Sequence, residues 1–273
     1  MTTSPRISVT MPCFNAGDHL ETALTSVLSQ LGPGDEVVVQ DACSTDGSAA
    51  VFARVGEGDP RLSVVSERDD GQSDALNRAL GRATGEFVLW LNADDIVVDG
   101  GIDAVRAAID ADPSVDLVVG AHQMLRENGD VIDVYPGRAV SVDAILRRGC
   151  TAFSGSILMR TALLREVGGF DDALNTVMDL ELQLRLARHS PRQVVVDHPV
   201  GALRFHDSSK SATLWPQFVR ESHRVRMAHS DTLAARVRTV GLTGLHIAYA
   251  VTFRIQLTDT YRRLRRIVRR ESR

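Results

Sequence analysis

Cysteine and lysine are scarce in this chain of 273 residues, which has three cysteines and a single lysine, Lys210. Cys13, Cys43 and Cys150 do not have the spacing of a zinc site, and any disulfide would leave one of them unpaired. These features exclude a small disulfide-stabilised secreted domain. They fit a protein of the reducing cytosol.

A glycine-rich phosphate loop is also missing. The first predicted strand is followed by Cys13-Phe14-Asn15-Ala16-Gly17, which contains one glycine. A dinucleotide-binding turn would have the pattern G-x-G-x-x-G here, and a nucleotidyltransferase would have a glycine-rich loop with a basic residue. This absence counts against both classes.

Long apolar runs are absent as well. Residues 239–253 carry no charge, but they fall short of the roughly 20 apolar residues that span a bilayer. The N-terminal residues MTTSPRISVTMP lack the charged and then apolar pattern of a secretion signal. The expected location is therefore cytoplasmic, including the inner face of the cell membrane if the C-terminal region binds lipid.

Charge is distributed unevenly. Residues 220–273 contain 13 arginines and four acids, for a net charge of +9, whereas residues 1–219 contain 18 basic and 31 acidic groups, for a net charge of -13. Phosphate contacts need clustered Lys and Arg, so the acidic body is a poor nucleic-acid binder. The basic C-terminal region needs a separate explanation.

Strand-like and helix-like segments alternate along an otherwise ordinary composition, 44% hydrophobic. This alternation predicts one large α/β domain with a mostly parallel sheet. Asp18 and Glu21 predict a capping box at the first helix, and Pro12 is expected to end the first strand. The predicted strands cover residues 7–11, 36–40, 62–66, 87–91, 116–120, 124–126, 131–134, 193–197 and 202–205, with a loop entering a strand over 153–159.

The most informative stretch is an apolar run, Phe87 to Leu91, followed by Asp94 and Asp95. A buried strand of this kind delivers both acids to the carboxyl edge of a parallel sheet, where open α/β folds bind ligands. Adjacent carboxylates repel unless a cation or hydrogen-bond donors lie between them. The pair therefore suggests a divalent metal and a phosphate-bearing substrate, the alternative being a turn or helix cap.

Three segments, MPCFNAGDHLETALTSVLSQ, VVVQDACSTDGS and SERDDGQSDALNRALGRATGEFVLWLNADD, resemble in order and spacing the family 2 glycosyltransferases. The resemblance covers roughly residues 5–210. It implies a GT-A type α/β fold: a Rossmann-like, mostly parallel sheet with a mixed acceptor-side half. It also implies transfer of a sugar, with inversion, from a nucleotide diphosphate sugar to an acceptor hydroxyl, assisted by Mn²⁺ or Mg²⁺.

The resemblance also assigns roles to particular residues. Asp179 would be the general base, and Asp95 and His206 would hold the metal. Contacts to the nucleotide sugar would come from Pro12, Asn15, Asp41, Asp70 and Asp94. Helix capping is the competing explanation for Asp70 and Asp179, and an ordinary surface or core histidine is the alternative for His206. Ala42 stands where many members have a second acid, which leaves the base of the nucleotide open.

The expected domains are a glycosyltransferase domain over residues 1–212, with a nucleotide-sugar half (1–120) and an acceptor half (121–212), and an Arg-rich helical region over 213–273. The stripe Phe253, Leu257, Tyr261, Leu264 and Val268, flanked by arginines, predicts an amphipathic helix on an anionic membrane surface. A solvated tail and a helix packed on a second subunit of a homo-oligomer are the alternatives.

The resemblance favours polysaccharide, glycolipid or cell-wall glycan synthesis with a glycan or lipid-linked acceptor. Two other functions stay open on the sequence alone. One is a nucleotidyltransferase, and the other is a non-catalytic protein that binds a nucleotide sugar or a membrane surface.

Overall fold

The computed structural model describes residues 5–205 and 214–257, with the backbone alone for residue 246 and residues 248–257. The chain divides into two compact units, Met1–Ser209 and Lys210–Arg273. His206 and most of the predicted amphipathic stripe, from residue 258 onward, lie outside the described residues.

The first unit is built on a nine-stranded sheet in the order β3-β2-β1-β4-β8-β6-β9-β5, with β7 paired to β6. The strands are β1 Ile7–Cys13, β2 Glu36–Asp41, β3 Leu62–Ser66, β4 Phe87–Trp90, β5 Ile96–Val97, β6 Leu117–Leu125, β7 Val131–Tyr135, β8 Ile157–Arg160 and β9 Gln193–Arg204.

Seven helices accompany this sheet, and two more form the second unit, within the part of the chain that the structure describes. The first seven are α1 Leu20–Leu28, α2 Ser48–Val55, α3 Gln72–Arg82, α4 Gly101–Ala111, α5 Val142–Arg148, α6 Thr161–Glu166 and α7 Met178–Arg188. The last two are α8 Trp215–Ala228 and α9 Leu233–Leu257. None of the helices described has both the length and the apolar character that crossing a membrane requires.

The N-terminal half of the sheet is parallel, as the alternation of segments predicts. β1 pairs in parallel with β2 and β4, and β2 pairs in parallel with β3. The apolar runs of β1, β2 and β4 are buried, because helices cover both faces of such a sheet. The carboxyl ends of β2, β1 and β4 therefore lie side by side.

Pro12 does not end the first strand, contrary to the prediction. β1 continues to Cys13, and Pro12 pairs with Gln40 of β2. The ladder with β4 stops earlier, at Thr10 opposite Trp90. The proline thus falls where only one side of the strand is still paired, a position that tolerates its missing N–H.

The C-terminal half of the sheet is mixed, which confirms the GT-A type architecture. β8 runs antiparallel to β4 and β6, while β9 runs parallel to β6 and antiparallel to β5. Two pairs of short predicted strands are in fact the single strands β6 and β9. Register shifts around Ala121 let β9 continue past Pro199, because a bulge absorbs the irregular residues.

The capping box predicted at the first helix does not form. A 3₁₀ turn, Gly17–His19, precedes α1, and no side-chain cap is present at either N-terminus. Glu21 instead forms an ion pair with Arg54 of α2. The Glu21 side chain, which the local pattern assigned to the cap, therefore makes a contact between α1 and α2 instead.

In the second unit, α8 and α9 are joined by polar contacts. His223 Nδ1 lies 2.9 Å from Thr243 Oγ1, and Ser230 Oγ lies 3.2 Å from Thr239 Oγ1. The outer surface of α9 carries exposed apolar side chains, Leu233, Val237, Val240 and Leu245.

Candidate active site

Three loops meet at the carboxyl edge of the parallel strands. Asp41 ends β2, the Pro12-Cys13 pair ends β1, and Trp90 ends β4 just before the two acids. Because these strands are neighbours in register, the structure brings the predicted nucleotide-sugar residues of all three loops to one edge of the sheet. This is the edge at which open α/β folds bind ligands.

The Asp41 carboxylate is buried and held by hydroxyl groups. Ser66 Oγ donates to Asp41 Oδ2 at 2.6 Å, and the Ser44 backbone N–H lies 3.2 Å from the same oxygen. These bonds fix the carboxylate at the strand end. No contact of Ser44 or Ser66 with Asp41 was predicted from the sequence.

Asn15 joins the loops that follow β1 and β2. Its Oδ1 accepts the Thr45 N–H at 2.9 Å, and its own N–H donates to Ser44 Oγ at 2.8 Å. Asn15 has φ +49°, in the left-handed region that asparagine tolerates. Gly17 N–H adds a bond to Asp46 Oδ2 at 2.7 Å. The Asn15 side chain, which was predicted to contact the nucleotide, therefore also fixes the conformation of its own loop.

Asp70 is exposed in the loop before α3. The helix-cap alternative is wrong for this residue, because Gly71 occupies the N-cap and no side-chain cap is made. The Asp70 backbone N–H instead donates to Asp74 Oδ2 at 3.0 Å. Asp70 is therefore available for the substrate contact that the resemblance implies.

Asn92, which sequence reasoning passed over, is the hub of the turn that holds the two acids. Its Oδ1 accepts hydrogen bonds from Trp90 Nε1 and Gln72 Nε2, both at 2.8 Å. Its Nδ2 donates to Asp95 Oδ2 at 2.9 Å. One amide therefore ties the end of β4, the start of α3 and the acidic pair together.

The two acids have different surroundings. Asp95 is 1% exposed, and its Oδ1 accepts the Arg204 N–H at 3.0 Å while Oδ2 accepts from Asn92. Burial raises the pKa of Asp95 well above its usual value, and the neighbouring Asp94 carboxylate adds to the rise. Asp94 is partly exposed, and its carbonyl accepts Arg204 Nε at 3.2 Å.

The two acids supply the carboxylate oxygens that suit a divalent cation. Both Asp95 oxygens accept hydrogen bonds, which fix the orientation of this carboxylate. Among the described residues no three His, Cys, Asp or Glu side chains form a ligand cluster. Mg²⁺ is commonly held by one or two carboxylates together with substrate phosphates, which suits so sparse a set.

Asp179 lies in the first turn of α7, and its carboxylate is partly buried. Val177 is the N-cap and makes no side-chain cap bond, so the side-chain contact to the first-turn N–H groups comes from Asp179 itself. Its Oδ1 accepts the Leu180 N–H at 2.8 Å. Although the helix N-terminus was expected to favour the ionised form, burial raises the pKa of Asp179.

A small cavity connects Asp179 with the strand that carries the acidic pair. Trp90, the last residue of β4, and Asp179 line the same cavity together with Ser154 and Gln183. The Trp90 ring also meets Phe170 edge-on, with 5.2 Å between the centroids. The predicted base and the β4 edge therefore belong to one region of the molecule.

Arg204, at the end of β9, belongs to the segment that resembles the family around His206, but the sequence alone assigned it no role. Its backbone contacts Asp95 and its side chain contacts Asp94, across more than 100 residues of sequence. In the sequence, Arg204 could have been assigned to the site through its position two residues before His206. β9 thus leads directly from the acidic turn to the segment in which the second metal ligand was predicted.

Comparison with known proteins gives a family match. Residues 8–140 match the family model described as glycosyl transferase family 2. TuaG of Bacillus subtilis, a putative teichuronic acid biosynthesis glycosyltransferase, is 40% identical over 92 residues, which are 33% of this chain and 36% of that protein. The matched segment therefore spans about a third of the length of that relative.

Solved structures share the fold at low identity. S. aureus TarS 1–349 in complex with UDP-GlcNAc superposes with a TM-score of 0.66 at 21% identity, over 86% of this chain and 69% of that one. The mannosyltransferase PcManGT of Pyrobaculum calidifontis, in complex with GDP-Man and Mn²⁺, gives 0.59 at 22% identity, over 96% and 84%. The chain therefore carries a glycosyl transferase family 2 match over residues 8–140 and has the GT-A fold.

Proposed function

We propose that this protein transfers a sugar from a nucleotide diphosphate sugar to an acceptor hydroxyl, with inversion and with the help of Mn²⁺ or Mg²⁺. The observation that supports the proposal is the cavity lined by both Asp179 and Trp90, because Trp90 ends β4, the strand that precedes Asp94 and Asp95. The family match supports the reaction type. The structural relatives bound to UDP-GlcNAc and GDP-Man support the donor class.

The donor nucleotide would lie across the ends of β2, β1 and β4. Asp41, with its oxygens directed by Ser44 and Ser66, would contact the base or ribose. Asn15 and Pro12 would shape the pocket from the β1 side, and Asp70 would approach from the loop before α3.

Asp95 and His206 would hold the metal, and Asp94 would contact the nucleotide sugar. When bound, the metal neutralises charge that develops on the departing nucleotide diphosphate. Arg204 and Asn92 keep the two acids in place through the bonds to Asp95.

Asp179 would take the proton from the acceptor hydroxyl as that oxygen attacks the anomeric carbon from the face opposite the nucleotide. One carboxylate is sufficient, because the leaving diphosphate needs no protonation by a second acid. A buried carboxylate with a raised pKa is a stronger base than an exposed one, which suits this role.

Asp179→Asn is the decisive variant. We expect sugar transfer to fall by a factor of about 10² to 10⁴, the usual contribution of a general base, while binding of the nucleotide sugar persists. A panel of UDP-, GDP- and dTDP-sugars with Mn²⁺ would be screened by thermal shift and then assayed for transfer.

Three results would contradict the proposal. Retained turnover in Asp179→Asn would remove this residue from the role of base. Binding of nucleotide sugars without any release of nucleotide would indicate a non-catalytic binding protein. Release of pyrophosphate from a nucleoside triphosphate and a sugar phosphate would indicate a nucleotidyltransferase.

The biological setting that we propose is synthesis of a polysaccharide, glycolipid or cell-wall glycan on a glycan or lipid-linked acceptor. The relative named for teichuronic acid biosynthesis supports this setting. Action in the cytoplasm at the inner membrane face, with the Arg-rich C-terminal region on anionic lipid, is the corresponding location. Assay of membrane fractions for transfer to endogenous lipid-linked acceptors would test it.

A further inference from the structure

One neighbour of Asp179 has no part in the mechanism above. The thiol of Cys150 lies 3.2 Å from Asp179 Oδ2 and donates a hydrogen bond to it. Cys150 comes from the segment after α5, 29 residues before Asp179 in sequence. The Leu180 N–H bonds to Oδ1 and this thiol bonds to Oδ2, so together they help to fix the plane of the carboxylate.

The segment that carries Cys150 is held against α7 by a buried side chain. Gln183, one turn after Asp179, accepts the Thr151 N–H on Oε1 at 3.3 Å and donates from Nε2 to the Ala152 carbonyl at 2.9 Å. The glutamine thus anchors the two residues that follow Cys150. The approach of the thiol to the base is therefore built into the packing of this segment on α7.

Among the described residues, the side chains that line the cavity beside Asp179 carry no charge. The cavity beside Asp179 is lined by the neutral side chains Trp90, Ser154, Ile157, Met159, Leu182, Gln183 and Leu186. The largest influence on the Asp179 pKa is burial, which raises it, and the Cys150 thiol opposes that rise. In such surroundings a single donor affects the carboxylate more than it would in water.

We infer that Cys150 is a positioning residue for the base, whose thiol orients the Asp179 carboxylate toward the acceptor and favours its ionised form. This inference rests on the proposed function for its catalytic consequence. The contact between Cys150 and Asp179 does not depend on the proposed function. Cys150 is exposed at the surface, so its side chain can be changed without opening a hole in the core.

The test compares variants that remove the donor, Cys150→Ala and Cys150→Val, with Cys150→Ser, which keeps it. We expect the acid limb of the kcat–pH profile to move upward by roughly half to one pH unit in the first two. That shift corresponds to a loss of about 3- to 10-fold in kcat below the limb. Cys150→Ser should restore the wild-type profile, and KM for the nucleotide sugar should stay unchanged in all three.

A second readout needs no turnover. The Asp179 carboxyl carbon is followed by ¹³C NMR in aspartate-labelled protein and assigned with Asp179→Asn. Removal of the thiol should move its titration upward, whereas Cys43→Ala, which alters the other exposed cysteine, should not. Melting temperatures confirm that each variant is folded.

The possible outcomes distinguish the inference about Cys150 from the proposed function. An unshifted Asp179 titration in both Cys150→Ala and Cys150→Val would overturn the inference. If the kcat–pH profile also shifts in Cys150→Ser, the shape of the side chain and not its hydrogen-bond donor causes the shift. That result would overturn the inference as well. A shifted titration in a protein that transfers no sugar would uphold the contact and refute the proposed function.

Discussion

At the scale of single residues, Asp179 combines a proposed catalytic use with a cost in stability. Burial raises its pKa above the usual 3.8, so the folded state binds a proton more tightly than the unfolded state does. Between the unfolded and the folded pKa, the stability of the protein therefore falls as pH rises. The proposed use of ionised Asp179 as the base would account for this cost, a trade that is common at active sites.

Replacement of Asp179 by asparagine removes this dependence of stability on pH. We expect Asp179→Asn to have a higher free energy of unfolding than wild type at pH 7, and this advantage to shrink as pH falls to about 4. Urea denaturation of both proteins at the two pH values measures the difference, in which the shared contribution of Asp95 cancels. If Asp179→Asn were more stable than wild type by the same amount at both pH values, ionisation of Asp179 would not be the cause.

The residues that sequence reasoning found and those that it missed differ in how their contacts are made. Asp94 and Asp95 were visible because a strand and its acids are adjacent in sequence. Asn92, Arg204 and Cys150 were not visible, because their roles depend on partners brought together by the fold. Arg204 meets Asp95 across 109 residues, and no local pattern reports such a contact.

At the scale of helices and strands, periodicity predicted most of the observed order. β3 was predicted at its observed bounds, Leu62–Ser66. The errors lie where tertiary contacts override local preference. Pro12 stays in β1, β9 continues past Pro199, and Glu21 leaves its cap for Arg54.

β9 also depends on the absence of a side chain at Gly201. A Cβ at this position would collide with the Gly155 carbonyl and approach the Phe153 ring. We expect Gly201→Ala to lower the free energy of unfolding by about 1 to 3 kcal/mol, the usual cost of overpacking. Transfer activity should fall with it, because β9 carries Arg204 to the acidic turn.

Gly81→Ala is the matched control. Gly81 lies in α3 with nothing within 4 Å of a Cβ placed there, so alanine should raise stability by up to about 1 kcal/mol. Chemical denaturation of both variants gives the comparison. A Gly201→Ala protein as stable as wild type would show that the 153–155 segment can move away from β9.

At the scale of the whole molecule, the dominant feature is the opposition of charge between the acidic body and the Arg-rich C-terminal region. The net charges of -13 and +9 lie on different parts of the chain. A uniformly acidic protein would be repelled by an anionic membrane, whereas this distribution lets one end bind while the body stays in water. Such an arrangement suits an enzyme whose acceptor is attached to lipid.

We therefore predict that the protein binds vesicles containing anionic phosphatidylglycerol and not vesicles of phosphatidylcholine alone. Each arginine near the surface contributes about 1 kcal/mol, and salt screens the attraction. Substitution of Arg262, Arg263, Arg265 and Arg266 by glutamine should therefore weaken binding at least 100-fold in co-sedimentation at low salt.

The matched control changes the same amount of charge in the body of the protein, through glutamine at the exposed positions Arg68, Arg126, Arg138 and Arg148. Vesicle binding of that variant should stay within a few-fold of wild type. If both variants lose binding equally, net charge alone governs the attraction. If the C-terminal variant binds as wild type but loses self-association in sedimentation velocity, the arginine-rich region serves a second subunit instead of a membrane.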